Sequence, residues 1–250
     1  MKQFKSMAEQ LTAALELKFT PVAVHFSDEP LSGYAPPTQP AAAGCQFWEL
    51  GAVKALATTA SDHANCSIGV YTHNLTDAPA SQQSELEQTL AAMSGLDYVR
   101  SEEIAAIPAM QSGSKHVCYD PLTECPSDPD LVLLFANARQ GLLITEAIAR
   151  VDGASPLSLG RPACALVPQV INSGKAAASL GCCGARAYID SLDDGTTLWA
   201  FPGEQLANYV DAIDVLSKAN SVLSRFHEQR NRDISAGESP SVAESLGKLS

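Results

Sequence analysis

The chain has few charged residues and no cluster of positive ones. Asp, Glu, Lys and Arg make up 18% of the 250 residues, and the formal net charge is −12 with a pI of about 4.7. An acidic surface repels phosphate groups, so binding to nucleic acids or to anionic membranes is disfavoured. Hydrophobic residues make up 46% of the chain, which is enough for a continuous core and argues against a disordered protein. We expect a protein that acts on a small molecule or on another protein.

No apolar run reaches the length of a membrane span, and the N-terminus lacks the continuous apolar core of a signal peptide. Instead, Phe4, Met7, Leu11 and Leu15 are separated by polar residues at helical spacing, which predicts an amphipathic helix. We therefore expect a cytoplasmic protein whose thiols stay reduced. In that compartment the seven cysteines point to metal binding, catalysis or packing rather than to disulfides.

Common motifs of nucleotide binding and hydrolysis are absent. The chain has no GxGxxG, GxxxxGK[ST], HExxH or GxSxG pattern. These absences give no support to a nucleotide-binding protein, a zincin or a serine hydrolase. The chain also lacks the CxxC knuckle that structural zinc sites usually carry in each half.

Apolar runs and amphipathic segments alternate, which predicts the α/β (or α+β) class with a mixed sheet and flanking helices. We predict a single domain over residues 1–227, with possible pseudo-repeats at 45–150 and 164–227 and a disordered polar tail at 228–250. The segment predictions are strands at 21–26, 131–137 and 196–202, helices at 81–95, 138–150 and 203–227, helix-like sequence at 46–58, turns around a short strand at 62–74, and loop at 115–130.

Four cysteines form two matching pairs. Cys45 and Cys66 are separated by 20 residues, and Cys164 and Cys182 by 17. The first member of each pair begins an alanine-rich, helix-like stretch, where backbone N–H groups favour a thiolate. The second member lies in a glycine-marked turn. Four thiolates suit Zn²⁺ or an iron–sulfur cluster, and the lack of a CxxC knuckle favours iron–sulfur. The alternative is that each cysteine is a small, buried hydrophobic residue.

Glycines next to these cysteines would let backbone amides approach a bound cofactor. Gly69 follows Cys66, and Gly181 and Gly184 flank the adjacent cysteines Cys182 and Cys183. That adjacent pair could form a redox-active disulfide or offer two soft ligands. Alternatively, only Cys182 faces a ligand and its neighbour fills space.

A further group of residues is a candidate metal site. Cys118 and Cys125, with His116 and Asp120 nearby, could bind zinc or could lie in an ordinary loop.

His63 and His73 flank Cys66, so either could be a further ligand or a proton carrier, or a solvated turn residue. Arg139 follows the strand predicted at 131–137, and Arg186 follows the GCCG turn. Either guanidinium could bind an anionic group of a substrate, or could be an ordinary surface arginine.

In its order of elements the chain resembles domain-of-unknown-function family 169. The residues that carry the resemblance are PVAVHF, Cys45, the CSIG turn at Cys66, PDLVLLFANARQGLLITEA, GRPACA with Cys164, and LGCCGAR with Cys182. The resemblance implies a soluble prokaryotic protein of anaerobic or redox metabolism, with an iron–sulfur cluster on the four named cysteines. The doubled Cys182-Cys183, Cys118, Cys125 and the polar tail depart from that pattern.

The function expected is that of a cytoplasmic protein with an iron–sulfur cluster of the [4Fe–4S] type, which serves electron transfer or a redox reaction on a small molecule.

 The partner would be a small-molecule substrate or a redox protein, and neither nucleic acid nor a membrane is expected. Two alternatives stay open: a thiol/disulfide redox enzyme that uses Cys182-Cys183, and a zinc-stabilised, non-catalytic binding module.

Overall fold

The structure is a computed structural model that describes residues 2–153 and 157–248. Within these ranges a mixed β-sheet is flanked by helices on both faces, as predicted for the fold class. The strands are β1 (Val22–Ser27), β2 (Leu56–Thr59), β3 (His116–Pro121), β4 (Leu131–Asn137), β5 (Ser158–Leu159), β6 (Ala177–Ser179) and β7 (Thr196–Pro202). The helices are α1 (Lys2–Leu15), α2 (Gln46–Gly51), α3 (Ser67–Thr72), α4 (Ser81–Gly95), α5 (Ser101–Ala105), α6 (Ala138–Asp152), α7 (Leu166–Ser173), α8 (Cys183–Tyr188), α9 (Leu206–Ser235) and α10 (Val242–Gly247).

The described strands form one sheet in the order β2-β3-β1-β4-β7-β6-β5. Every pair of neighbours is antiparallel except β5 and β6, which are parallel. The long helices α1, α6 and α9 pack together against one face, where alternate residues such as Ala23 and Val132 point. The short helices α2, α3, α7 and α8 cover the other face, which includes Val22, Leu131 and Leu133. The four cysteines of the two pairs lie in this second layer.

The sheet repeats the same order on either side of its central β1–β4 pair. On one side, the chain runs from β1 through α2, β2 and α3 to β3; on the other, it runs from β4 through α7, β6 and α8 to β7. In each half the strand pairs are antiparallel, β3 lying between β1 and β2, and β7 between β4 and β6. The repeat therefore spans residues 22–121 and 131–202, which differ from the bounds predicted from sequence. Strands β4 and β7 are neighbours within one half.

Several strands and helices lie where the sequence predicts them. The bounds of β4, β7 and α4 agree with the prediction, and β1 is displaced by one residue. The predicted amphipathic N-terminal helix is present as α1, which buries Phe4, Leu11 and Leu15. Each of these elements has a strong apolar pattern of its own, so the surrounding fold is not needed to specify it.

Three segments differ from the prediction because tertiary contacts override their local sequence. Residues 115–130, predicted as loop, contain β3. The polar His116 and Asp120 are untypical of a strand, but β3 pairs with β1 on one side and with β2 on the other. The helix-like stretch at 46–58 ends at Gly51 and continues into β2. Residues 67–72, predicted as turn and strand, form α3.

The tail predicted as disordered carries helical structure in its described part. Helix α9 continues to Ser235, and α10 folds back so that Lys248 Nζ lies 2.9 Å from Asp233 Oδ2. A capping box at Ser241 and Glu244 starts α10, which explains why a short polar segment is helical. Residues 249 and 250 of that predicted tail lie outside the described residues. In the described ranges no helix is both long and apolar enough to cross a membrane.

Candidate metal centre

The structure brings the two cysteine pairs together. Cys45, Cys66, Cys164 and Cys182 all line one cavity of about 570 Å³ on the short-helix face of the sheet. Cys45 and Cys164 lie at equivalent places in the two halves of the repeat, and so do Cys66 and Cys182. The internal symmetry of the fold therefore assembles the group. The seven cysteines are all free thiols.

Each thiol lies at the beginning of a short helix. Cys45 precedes α2, and Cys164 lies in the turn of 3₁₀ helix Ala163–Ala165 that leads into α7. Cys66 precedes α3, and Cys182 precedes α8, where its Sγ accepts a hydrogen bond of 3.5 Å from the Ala185 backbone N–H. The helix starts predicted for Cys45 and Cys164 are present. The other two cysteines, expected in glycine turns, begin helices as well.

Burial makes the thiols of this cavity weak acids. It raises the pKa of Cys45, Cys66 and Cys164, and repulsion from the neighbouring cysteines adds to the effect at each. Backbone amides of Gly44 and Gly69 lower the pKa of Cys66 by a smaller amount. The sequence analysis expected helix starts to favour thiolates, but in the protein alone desolvation outweighs the N–H groups. A bound cation would reverse this balance.

The spacing of the thiols distinguishes between metal centres. Among the described residues, one group of three possible metal ligands has its ligand atoms within 4.8 Å of one another, and it consists of His25, Asp120 and Cys125. No three of the cavity thiols are therefore that close together. A single tetrahedral Zn²⁺ with Zn–S bonds of about 2.3 Å requires sulfurs about 3.8 Å apart. A [4Fe–4S] cluster attaches each of its four thiolates to a different iron, so it spans more widely separated sulfurs.

A neutral histidine borders Cys66. His63 is buried and its Nε2 lies 3.0 Å from Thr58 Oγ1, whose hydroxyl donates to the carbonyl oxygen of Val117. Because that hydroxyl hydrogen is used, Nε2 carries the imidazole proton and Nδ1 is left as a lone-pair acceptor. Burial lowers the pKa of His63 to about 4, so the ring is neutral near pH 7. Nδ1 is buried without a hydrogen-bond partner.

His73 lies behind His63, with 6.0 Å between the ring centroids. It is buried, and neither ring nitrogen has a hydrogen-bond partner. Burial, and to a lesser extent His63, lowers the pKa of His73 to about 3. Neither histidine is a solvated turn residue, which was the alternative for both.

The three glycines predicted to border a cofactor differ in role. A Cβ at Gly69 would lie 3.0 Å from Cys66 Sγ and 3.5 Å from His63 Nδ1, so this glycine keeps space beside the thiol. Gly181 has a φ of +87°, which favours glycine, but is absent from the cavity wall. Gly184 lines the cavity, and a Cβ there would meet only Tyr188, at 3.8 Å.

The two arginines predicted to bind a substrate lie away from the cavity wall. Arg186 donates to the backbone carbonyl oxygens of Leu180 and Asp193, at 2.5 and 2.8 Å, which stabilises the loop around α8. Arg139 begins α6 on the long-helix face and borders a different depression. The arginine that lines the cysteine cavity is Arg161, which sequence analysis missed although it begins the quoted RPACA stretch.

The outer wall of the cavity comes from a segment that the second half of the repeat lacks. Residues 81–108, which include α4 and α5, contribute apolar side chains such as Leu90, Met93 and Val99. Arg161 anchors this segment by donating to Glu103 Oε1 at 3.1 Å and to the Tyr98 carbonyl oxygen at 2.8 Å.

The remaining candidate cysteines separate into two places. Cys183 is exposed at the rim of the cavity, next to Cys182. Cys118 and Cys125 are buried elsewhere, and only Cys125 belongs to the compact group with His25 and Asp120. His116, proposed from sequence as their partner, is not in that group.

The comparison with protein families agrees with the resemblance noted in the sequence. The model of domain-of-unknown-function family 169, described as "Uncharacterised ArCR", matches residues 10–212. Because the match covers most of the chain, the protein belongs to this family. Searches of curated proteins and of solved structures gave no match.

Proposed function

We propose that Cys45, Cys66, Cys164 and Cys182 hold one iron–sulfur cluster, of the [4Fe–4S] type, in a cytoplasmic protein of electron transfer or small-molecule redox chemistry. The observation that carries the proposal is that four thiols from equivalent places in a repeated fold line one cavity. A bound cluster would supply one-electron chemistry at a potential set by hydrogen bonds to sulfur and by solvent exposure.

The geometry favours a cluster over a single zinc ion. The cavity thiols are too far apart for three of them to meet the 4.8 Å spacing that a compact mononuclear site satisfies. Cys45, Cys66 and Cys164 also need a strong source of positive charge to become thiolates, because burial raises the pKa of each. A cluster of several irons meets both requirements.

A thiol/disulfide enzyme is less well supported. Its nucleophile would need a thiolate at neutral pH, whereas burial raises the pKa of Cys45, Cys66 and Cys164. Cys182 and Cys183 remain the candidates for that alternative because Cys183 is exposed and both border the cavity. Replacement of each cysteine in turn separates the two functions.

The chain itself would control the environment of the sulfurs. The Ala185 N–H donates to Cys182 Sγ, which would stabilise charge on that sulfur. The lone pair of His63 Nδ1 borders the same space as Cys66 Sγ, so it offers a hydrogen-bond acceptor near that sulfur. Leu90 and Met93 on α4 line the same cavity, so they would place apolar surface next to a bound cluster.

The cavity has room for a substrate next to the thiols. A volume of about 570 Å³ is in the range of small-molecule sites. Tyr98, Leu159 and Tyr188 line the cavity while 46%, 55% and 46% of their surfaces stay exposed. This apolar rim suits either an apolar part of a small molecule or a redox partner protein. Arg161 lines the cavity wall, but its guanidinium already forms an ion pair with Glu103.

The experiment is a series of cysteine-to-serine variants purified without oxygen. Cys45→Ser, Cys66→Ser, Cys164→Ser and Cys182→Ser should each lose iron and the visible absorption of the cluster. Cys183→Ser, at the neighbouring position, is the matched control and should keep both. Loss of iron in Cys183→Ser but not in Cys182→Ser would show that Cys183, rather than Cys182, is the ligand. Iron-free, colourless wild-type protein from cells competent in cluster assembly would refute the proposal.

A further inference from the structure

A second group of metal-binding side chains lies outside the cysteine cavity. His25 Nε2, a carboxylate oxygen of Asp120 and Cys125 Sγ all lie within 4.8 Å of one another. The three residues are buried, with 5%, 1% and 0% of their surfaces exposed. None of them lines the cavity of the four thiols. The function proposed above does not use them.

Two strands and a turn bring this group together. His25 on β1 is opposite Cys118 on β3, so Asp120 lies diagonally across from it on the same face of the sheet. This is the face opposite Val24 and Tyr119, which belong to the core under the short helices. Cys125 follows in the turn after β3.

Backbone hydrogen bonds hold that turn in place. The Leu122 N–H donates to the carbonyl oxygen of Pro21, and the Glu124 N–H donates to that of Pro121. The first bond ties the turn to the residue that precedes β1. The position of Cys125 relative to His25 is therefore fixed by backbone contacts at both sides.

The distances agree with a tetrahedral metal ion. His25 Nε2 lies 3.3 Å from Asp120 Oδ1 and 3.6 Å from Cys125 Sγ. Zinc bonds of about 2.0 Å to nitrogen and oxygen and about 2.3 Å to sulfur, at a tetrahedral angle, require about 3.3 and 3.6 Å. The nitrogen–oxygen distance is also longer than the usual N–H···O hydrogen bond of about 2.9 Å.

The carboxylate of Asp120 carries a second sign of a missing ligand. Its Oδ2 is buried, and none of the residues that the structure describes forms a hydrogen bond with it. Its Oδ1 accepts a hydrogen bond of 2.7 Å from the hydroxyl of Tyr34, which fixes the orientation of the group. Metal-binding carboxylates are commonly oriented by such an outer hydrogen bond. A buried, charged oxygen without a partner is unfavourable unless a cation occupies the site.

A catalytic Cys–His–Asp arrangement does not describe this group. In such a triad the thiol and the carboxylate contact different nitrogens of the imidazole. Here both approach the same nitrogen, Nε2 of His25. Three donor atoms that converge on one point form a binding site for an ion, and full burial leaves no room for a substrate.

We infer that His25, Asp120 and Cys125 bind one Zn²⁺ in a structural site that joins β1, β3 and the following turn. Nitrogen, oxygen and sulfur ligands together suit zinc, and the fourth position is open to water or to the second oxygen of Asp120. In the metal-free chain the Cys125 thiol points to the Ser127 carbonyl oxygen, 2.9 Å away. On binding, the sulfur bonds to Zn²⁺ and the thiol proton leaves to solvent.

The test measures zinc and iron in the full-length protein purified from zinc-supplemented cells. The wild type should hold one zinc per chain more than Cys125→Ser or Asp120→Asn. Cys118→Ser is the matched control, because this buried thiol is on the same strand as Asp120 but outside the group, and it should keep its zinc. Cys182→Ser should lose iron and keep this zinc, which distinguishes failure of this site from failure of the cluster.

Two further measurements keep the test decisive if Cys125→Ser folds poorly. Tyr34→Phe removes only the outer hydrogen bond and should weaken zinc binding about 10- to 100-fold in competition with a chromophoric chelator. Cobalt added to metal-free protein should give a thiolate-to-cobalt absorption band that Cys125→Ser lacks and Cys118→Ser retains. Equal zinc and equal cobalt absorption in these two variants, or unchanged affinity in Tyr34→Phe, would overturn the inference.

Discussion

Substitution of Gly69 tests whether the space beside Cys66 is needed for the metal centre. In Gly69→Ala the new Cβ would lie 3.0 Å from Cys66 Sγ, so the thiol must move by a few tenths of an ångström, and the buried His63 ring at 3.5 Å limits the space available. Overpacking of this kind costs about 1–3 kcal/mol. Replacement of glycine by alanine within a helix gains about 1 kcal/mol, so the net change is a loss of up to about 2 kcal/mol.

Gly184→Ala is the matched control. Gly184 also lies in a short helix on the cavity wall, but a Cβ there meets only Tyr188 at 3.8 Å, an ordinary contact. Both variants share the helix gain, so the difference between them isolates the clash, about 1–3 kcal/mol. The assay is urea denaturation of the metal-free, reduced proteins, together with iron analysis after anaerobic purification. Gly69→Ala should be the less stable and lose iron; equal stability and equal iron would refute the reasoning.

Two other predictions concern residues around the site. Arg186→Ala should lower the free energy of unfolding by about 1–2 kcal/mol, because its bonds to main-chain carbonyls are lost, whereas exposed Arg139→Ala should change it by less than about 0.5 kcal/mol. Equal effects in urea denaturation would contradict the structural role of Arg186. Burial lowers the pKa of His63 to about 4 and of His73 to about 3, so the unfolded chain binds more protons than the folded one below about pH 6.5. The free energy of unfolding should therefore fall by roughly 2–4 kcal/mol from pH 7 to pH 5, and a flat profile would contradict neutral, buried rings.

The sequence predicts those parts of the fold whose signal is local. Strand β4 is a continuous apolar run, and α1 has an amphipathic pattern, so each is recognisable without the rest of the chain. Strand β3 is different, because its polar His116 and Asp120 are untypical of a strand, and the strand forms by pairing with β1 and β2. Its strand character is a tertiary property.

Some residues of the candidate site could likewise be predicted from the sequence, and others could not. The four thiols could be selected from their spacing, because an internal repeat leaves equivalent cysteines at equivalent places. Arg161 could not be distinguished from Arg186 by sequence, since each lies within two residues of a glycine and near a cysteine, and only the fold shows which one faces the cavity. Asp120 and Cys125 could be recognised as possible zinc ligands from sequence, but His25 could not, because it precedes Cys125 by 100 residues along the chain.

The direction of the thiol pKa shifts illustrates the same limit. A helix start favours a thiolate, and this local rule holds for Cys66, whose pKa the Gly44 and Gly69 amides lower. Burial has the opposite and larger effect, and the extent of burial follows from how the two halves close around the cavity. The sequence predicts the effect of a helix start on the thiol pKa, but it does not predict the effect of burial.

The most direct measurement of the central claim is the iron and acid-labile sulfide content of the wild-type protein, purified without oxygen from cells competent in cluster assembly. The account predicts about four iron and four sulfide per chain, with visible absorption that bleaches on reduction. Zinc bound to the cavity thiols in place of iron, or four free thiols with no metal, would contradict it.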